Sequence, residues 1–348
     1  MPHMTPKERI FTALSHREAD RVPFVLALTL HGAKELGLTI RQYFSSAANV
    51  VEAQIRMQQR YGHDALIGFS YAAAEYEAWG GEAIFVEDGP PNSGEPIFKN
   101  LEALDHLEVP RIEACPELQT SLEIIRQLKS RAGNGIPILG VVLSPFSLPV
   151  MQLGFDLYLD LLYGDRERFW LLMAANQVFA TAWANAQLEA GATALAYYDP
   201  LASPSMIPMD LYRETGFKVA CDTLKQISGP TITNLASGST LGVIDLIAQT
   251  GTQAIGVSSL EDLVELKSRC AGRLGVVGNL NGLAMVRWTA KETEQAVREA
   301  LVKGAPGGGF VLSDNHGELP WGVPDEVIGT LAETVRTWGQ YPAGSDHA

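Results

Sequence analysis

Cationic side chains are scarce in this sequence: 26 Lys and Arg stand against 40 Asp and Glu, a formal charge of −14 over 348 residues. A nucleic-acid or anionic-membrane surface needs clustered Lys and Arg, so neither partner is expected. The same deficit argues against a polyanionic substrate unless basic groups gather locally. Cysteine is rarer still. Cys115, Cys221 and Cys270 stand far apart with no CxxC or CxH spacing, which excludes a disulfide scaffold and a cysteine-rich zinc module. No apolar run reaches about 18 residues, the length a membrane span needs. The opening MPHMTPKERIFTALSHREADRVP lacks the apolar core of a signal peptide. The expectation is a soluble cytoplasmic protein. Common catalytic signatures are missing too: there is no GxSxG, no HExxH and no HxH.

Apolar residues, by contrast, are plentiful at 46%, with 19% charged, which suits a large core. Short β-rich runs alternate with longer amphipathic segments, the rhythm of βα units and a parallel sheet. Eight strands are predicted: 23–28, 64–69, 137–144, 194–199, 231–235, 254–258, 275–280 and 309–313. Most are apolar throughout, as strands covered on both faces should be. Helices are predicted over 118–131, 166–190, 209–227, 241–249, 260–270 and 290–303. Residues 5–14 form an extra amino-terminal helix and 325–338 a closing one. No GxGxxG follows the first strand, so a dinucleotide-binding open sheet has no support. Residues 70–136 are too long for one helix and predict a hairpin, with arms 82–87 and 95–99 around a turn at 89–92. The fold class is therefore α/β, a (β/α)8 TIM barrel with elaborated N-terminal helices and a hairpin, as a single domain over residues 1–348.

In such barrels the chemistry sits where strands end and βα loops begin. That rule gathers His31 after the first strand, Ser70, Tyr71, Glu75 and Glu77 after the second, and Ser144 after the third. The fourth ends at Tyr198-Asp199-Pro200, the fifth carries Asn234 and Ser237, and the seventh ends at Asn279. After the eighth comes Ser313-Asp314-Asn315-His316-Gly317-Glu318. Each has a plain structural reading as well. Asp199 before Pro200 suits a cap, Tyr71 suits packing, and Glu75 suits a solvated helix face.

Several stretches taken in order carry a resemblance. They are Thr5-Pro6-Lys7-Glu8-Arg9, Asp20-Arg21-Val22-Pro23, Tyr61-Gly62-His63-Asp64, Gln187 to Ala192, Gly278-Asn279-Leu280, and His316-Gly317-Glu318-Leu319-Pro320. Through them nearly the whole chain resembles the uroporphyrinogen decarboxylase superfamily. Within it, the amino-terminal third resembles the cobalamin-linked methyltransferases that include the methylcobamide:coenzyme M enzymes. The resemblance implies the same barrel, with its cavity at the strand carboxyl ends.

The residues that mark each branch are altered. The Arg-rich stretch that binds carboxylates in decarboxylases is here 24–31, with no Arg. Their Asp after the second strand falls on Tyr71, their Tyr on Met151, and only His316 matches. Thiol-activating methyltransferases carry His-x-Cys and a further Cys as zinc ligands. Here those positions read Asn234-Leu235-Ala236, with His316 near the third. A zinc site of that pattern is absent, which leaves His316 with Asp199 or Glu75 as a different ligand set. The resemblance implies an enzyme moving a methyl group between a small-molecule donor and a corrinoid carried by a partner protein. His316 would protonate the leaving heteroatom, Asp199 would orient His316, and Tyr71 would complete the catalytic group. His31, Glu75, Asn234 and Asn279 would bind substrate. The alternatives are a cobalamin-independent lyase or decarboxylase in the same mouth, and a non-catalytic paralogue.

Overall fold

The structure, a computed structural model, describes residues 3–314 and 316–341. Its strands are β1 (Leu66–Ile67), β2 (Ala83–Ile84), β3 (Asn92–Ser93), β4 (Ile138–Leu143), β5 (Ala194–Tyr198), β6 (Thr231–Asn234), β7 (Ala254–Gly256), β8 (Gly275–Leu280) and β9 (Phe310–Asp314). Seven of them pair in parallel in the order β1-β4-β5-β6-β7-β8-β9. Helices between consecutive strands cover the outside, as right-handed crossovers require.

The sheet closes through the segment predicted as the first strand. Leu312 N donates to Pro23 O and Val25 N to Leu312 O, both at 2.9 Å, while Asp64 N donates to Phe24 O at 2.8 Å. Residues 23–25 therefore sit between β9 and β1 and complete the barrel. Beyond Val25 the segment is not a strand. Leu28 N turns back onto Leu26 O, a three-residue turn that breaks the ladder.

The barrel's outer residues pack as the strand period demands. Along β5, Leu195 and Tyr197 are fully buried against the helices, and Ala194, Ala196 and Tyr198 face the axis. One apolar cluster runs from Val22 to Val335. The helices Arg166–Ala190 and Asp325–Trp338 have their predicted bounds.

Besides that first strand, several predicted elements differ: the helix over 241–249 is reduced to Ile244–Ile247 and that over 260–270 begins at Leu263. The helix over 209–227 is two helices, Met209–Glu214 and Gly216–Leu224. They meet at Thr215, because Gly216 packs so closely on the Phe146 ring that a Cβ there would lie 2.5 Å from it. The hairpin pairs Ala83 with Ser93 and Ile84 with Asn92, so Asn92 is strand and not turn. Residues 95–99 leave the hairpin because Phe98 N bonds Gln152 O at 2.9 Å and Tyr76 holds Glu95 O at 2.6 Å.

Candidate functional site

A cavity of about 360 Å³ opens at the carboxyl ends of the strands. Its mouth is built largely by the loop after β9. Asp314 Oδ2 accepts from His316 N at 2.8 Å and from Gly317 N at 2.7 Å, folding the loop back on itself. Gly317 has φ +96°, and a Cβ there would lie 2.0 Å from the Tyr198 hydroxyl. Glycine is required on both counts. The Tyr198 hydroxyl in turn donates to Gly317 O at 3.0 Å.

This turn presents His316 and Glu318 to the cavity. Ser237 Oγ lies 3.0 Å from His316 Nδ1 and fixes one side of the ring. Thr29 Oγ1 donates to Glu318 Oε1. Burial pushes the Glu318 carboxyl up to about 8, and the nearby Asp314 adds to the shift. At neutral pH Glu318 therefore holds its proton.

Of the predicted site residues, the structure brings Tyr71, Asn234 and His316 onto the cavity. The Tyr71 hydroxyl donates to Glu77 Oε2 at 2.8 Å. Burial and that carboxylate raise its pKa, so it serves as a neutral hydrogen-bonding group. Asn234 Oδ1 accepts from Ala236 N at 2.7 Å.

The other four lie off the cavity lining. Asp199 does not meet His316. Its Oδ1 accepts from Ser147 Oγ at 2.6 Å on the far side of the barrel wall, and burial raises it to about 6. Glu75 is not on a solvated face. It is buried with Oε1 on Leu143 N at 2.9 Å, and burial pushes it up to about 8. His31 is held at about 4 by burial and, neutral, donates from Nε2 to Pro320 O at 3.1 Å. It supports the β9 loop from behind. Asn279 donates to Ser258 O at 3.1 Å, tying the β7 and β8 loops together.

Sequence reasoning gathered Glu318 and Tyr198 at the strand ends but assigned neither a site role. The signal for Glu318 was its place two residues past His316 in the same strand-end loop. Its partner Thr29 lies 289 residues away in sequence, which no local pattern shows.

The positions that resemble zinc ligands can be tested directly. Asn234, Ala236 and His316 do line the cavity together. An amide and a methyl group do not replace a thiolate and an imidazole as zinc donors. None of the three cysteines reaches the cavity lining: Cys115 and Cys270 are buried elsewhere and Cys221 is half-buried on an outer helix. Among the described residues, no three His, Cys, Asp or Glu side chains are grouped to hold a metal. The alternative set of His316 with Asp199 or Glu75 fails because both carboxylates lie off the cavity. Among the described residues, no helix is long and apolar enough to cross a membrane.

The chain belongs to the uroporphyrinogen decarboxylase (URO-D) family, whose model matches residues 5–338. Within that family it stands near the methyltransferase branch. It is 26% identical over 316 residues to the methylcobamide:CoM methyltransferase MtbA of Methanosarcina mazei, covering 87% of this chain and 91% of that one. A uroporphyrinogen decarboxylase of Legionella pneumophila (strain Paris) is 25% identical over 297 residues, covering 82% of this chain and 81% of its own. A solved methyltransferase from Methanosarcina mazei shares the fold, with a TM-score of 0.84 at 19% identity over 96% of this chain and 99% of that one.

Proposed function

We propose that this chain transfers a methyl group between a small donor and a corrinoid carried by a partner protein, by proton-assisted rather than zinc-assisted activation. The observation that supports this most is the cavity lining. It carries no Lys or Arg among the described residues, so a substrate with many carboxylates finds no counter-charge there. The methyltransferase relatives agree with that reading better than the decarboxylases do.

The corrinoid, when its carrier docks, supplies a Co(I) nucleophile for the methyl carbon. The chain's own residues do the rest. The donor's apolar body enters the cavity and its heteroatom stays at the mouth. Glu318, protonated at neutral pH, delivers the proton that the heteroatom needs as its bond to the methyl carbon breaks and the electron pair stays with it. His316, held through Nδ1 by Ser237, turns its other nitrogen to the heteroatom and fixes its position. Tyr71 and Asn234 orient the donor's body. Exposed apolar side chains stand on the segments that follow the strands: Met206 after β5, Leu260 after β7, Leu283 and Val286 after β8. A carrier that brings the corrinoid would dock at this end of the barrel, where exposed apolar side chains suit a partner surface.

The test mixes the purified chain with cob(I)alamin and a panel of methyl ethers and N-methylamines, with and without a chelator. Chain-dependent methylation of cobalamin, unaffected by chelator, supports the reading. Donor consumption without cobalamin, or one zinc per chain bound through His316, overturns it.

A further inference from the structure

Barrels of this kind fill their axis with layers of bulky branched side chains. Here Ala27, Ala65, Ala194 and Ala196 occupy axis-facing positions. The axis is hollow as a result. Leu139, Ile232 and Val277 lie on interior strands yet remain only half-buried, because their inner faces meet the cavity and not a neighbour. The cavity that begins at His316 and Glu318 continues down to the amino-terminal ends of the strands. There Ile10 and Leu14 of the helix Pro6–Leu14 lie across it. Leu14 sits so close to the start of β8 that a Cβ on Gly275 would be 2.4 Å from it.

The shape and the chemistry of this space select a ligand. A six-residue strand such as β4 spans roughly 20 Å, so the space is far longer than it is wide. Its polar groups stand near its two ends, and its middle walls are apolar. A sugar or a polar ring would leave hydroxyls unpaired against those walls. An extended hydrocarbon would leave none. We infer that the barrel lumen binds an unbranched aliphatic chain whose heteroatom lies at the mouth beside His316 and Glu318. This names the donor's class for the methyl-transfer reading and rests on that reading only for what happens to the head group. The binding itself needs no cobalamin.

The experiment measures dissociation constants for n-alkanols from butanol to dodecanol by calorimetry, using the full chain without cobalamin. Each added methylene should tighten binding roughly fourfold, until the chain end meets Leu14 and the gain stops. Ala196→Phe, which fills the lumen midway, should make long alkanols bind no better than short ones. Leu14→Ala, which opens the closed end, should extend the gain by about one or two carbons. This second variant stands alone if Ala196→Phe does not fold. No binding by the wild type at any length overturns the inference. So does a length dependence that neither folded variant changes, because the chain would then bind elsewhere. Methyl transfer to short-chain donors would survive either result, and alkanol binding would survive the absence of methyl transfer.

Discussion

Glu318 is a carboxyl that keeps its proton at neutral pH, and its neighbour His316 is anchored by a hydroxyl instead of a carboxylate. In the proposed reaction they divide acid and positioning roles. Glu318 acts as an acid only while protonated. Turnover at saturation is therefore expected to hold below about pH 8 and to fall above it. Glu318→Gln should lower turnover and remove that alkaline fall, which a pH profile of kcat reads directly. His316→Ala is expected to lower kcat by about 10²-fold through lost positioning of the heteroatom, with a melting temperature near wild type. A rise in KM with unchanged kcat, in both His316→Ala and His316→Gln, would reduce His316 to a shaping role. Glu75 gives a different pH signature. Burial raises it from 4.5 to about 8, so the folded state holds a proton that the unfolded chain has released. Its contribution is fully present below pH 4.5 and is lost as pH rises through 8, with a slope of about 1.4 kcal/mol per pH unit. Glu75→Gln should flatten part of the stability decline between pH 5 and 8 in urea titrations.

At the scale of elements, the amino-terminal helix is joined to the barrel through one buried carboxylate. Asp64 Oδ1 accepts from Arg9 Nη1 at 2.6 Å, and Oδ2 from Arg21 Nη1 at 2.7 Å and Phe24 N at 2.9 Å. Asp64→Ala leaves two guanidinium groups without that partner and is expected to cost about 3–5 kcal/mol in urea unfolding. A cost below about 1 kcal/mol would show that the Arg9–Asp20 pair and the backbone bonds from Gly309 N to Ala13 O and from Lys7 N to Gly135 O hold the helix without Asp64. How far such elements can be read from sequence depends on where their determinants lie. The long helix Arg166–Ala190 was legible because both ends carry local signals: Asp165 accepts from Arg168 N, and Gly191 takes φ +118°. The break at Thr215 was not legible, since its cause is the Phe146 ring some 70 residues earlier. The site divides in the same way. Tyr71, Asn234 and His316 face the cavity because strand ends and alternation place them there. Asp199 and Glu75 also follow strands, but Ser147 and Leu143 N draw their carboxylates into the wall, and strand position alone does not reveal that.

For the whole molecule, scarcity of cationic side chains and hollowness of the barrel point the same way. An acidic protein with no Lys or Arg on its cavity wall among the described residues favours a donor with little negative charge, and a lumen lined by alanines and branched aliphatic side chains favours one with an apolar body. The family likeness supplies a methyl-transfer precedent, while Asn234 and Ala236 remove the zinc chemistry that such a precedent would bring. The reading proposed on these grounds is a proton-assisted transfer at the mouth of the barrel. One measurement addresses that claim most directly. Donors bearing a ¹³C-methyl group on oxygen or nitrogen are mixed with cob(I)alamin and chelator-treated chain, and the label is followed by NMR. The account predicts that the label moves to cobalt in the presence of wild-type chain, and about 10²-fold more slowly with His316→Ala. Label that stays on every donor, or moves equally fast with His316→Ala, would contradict it.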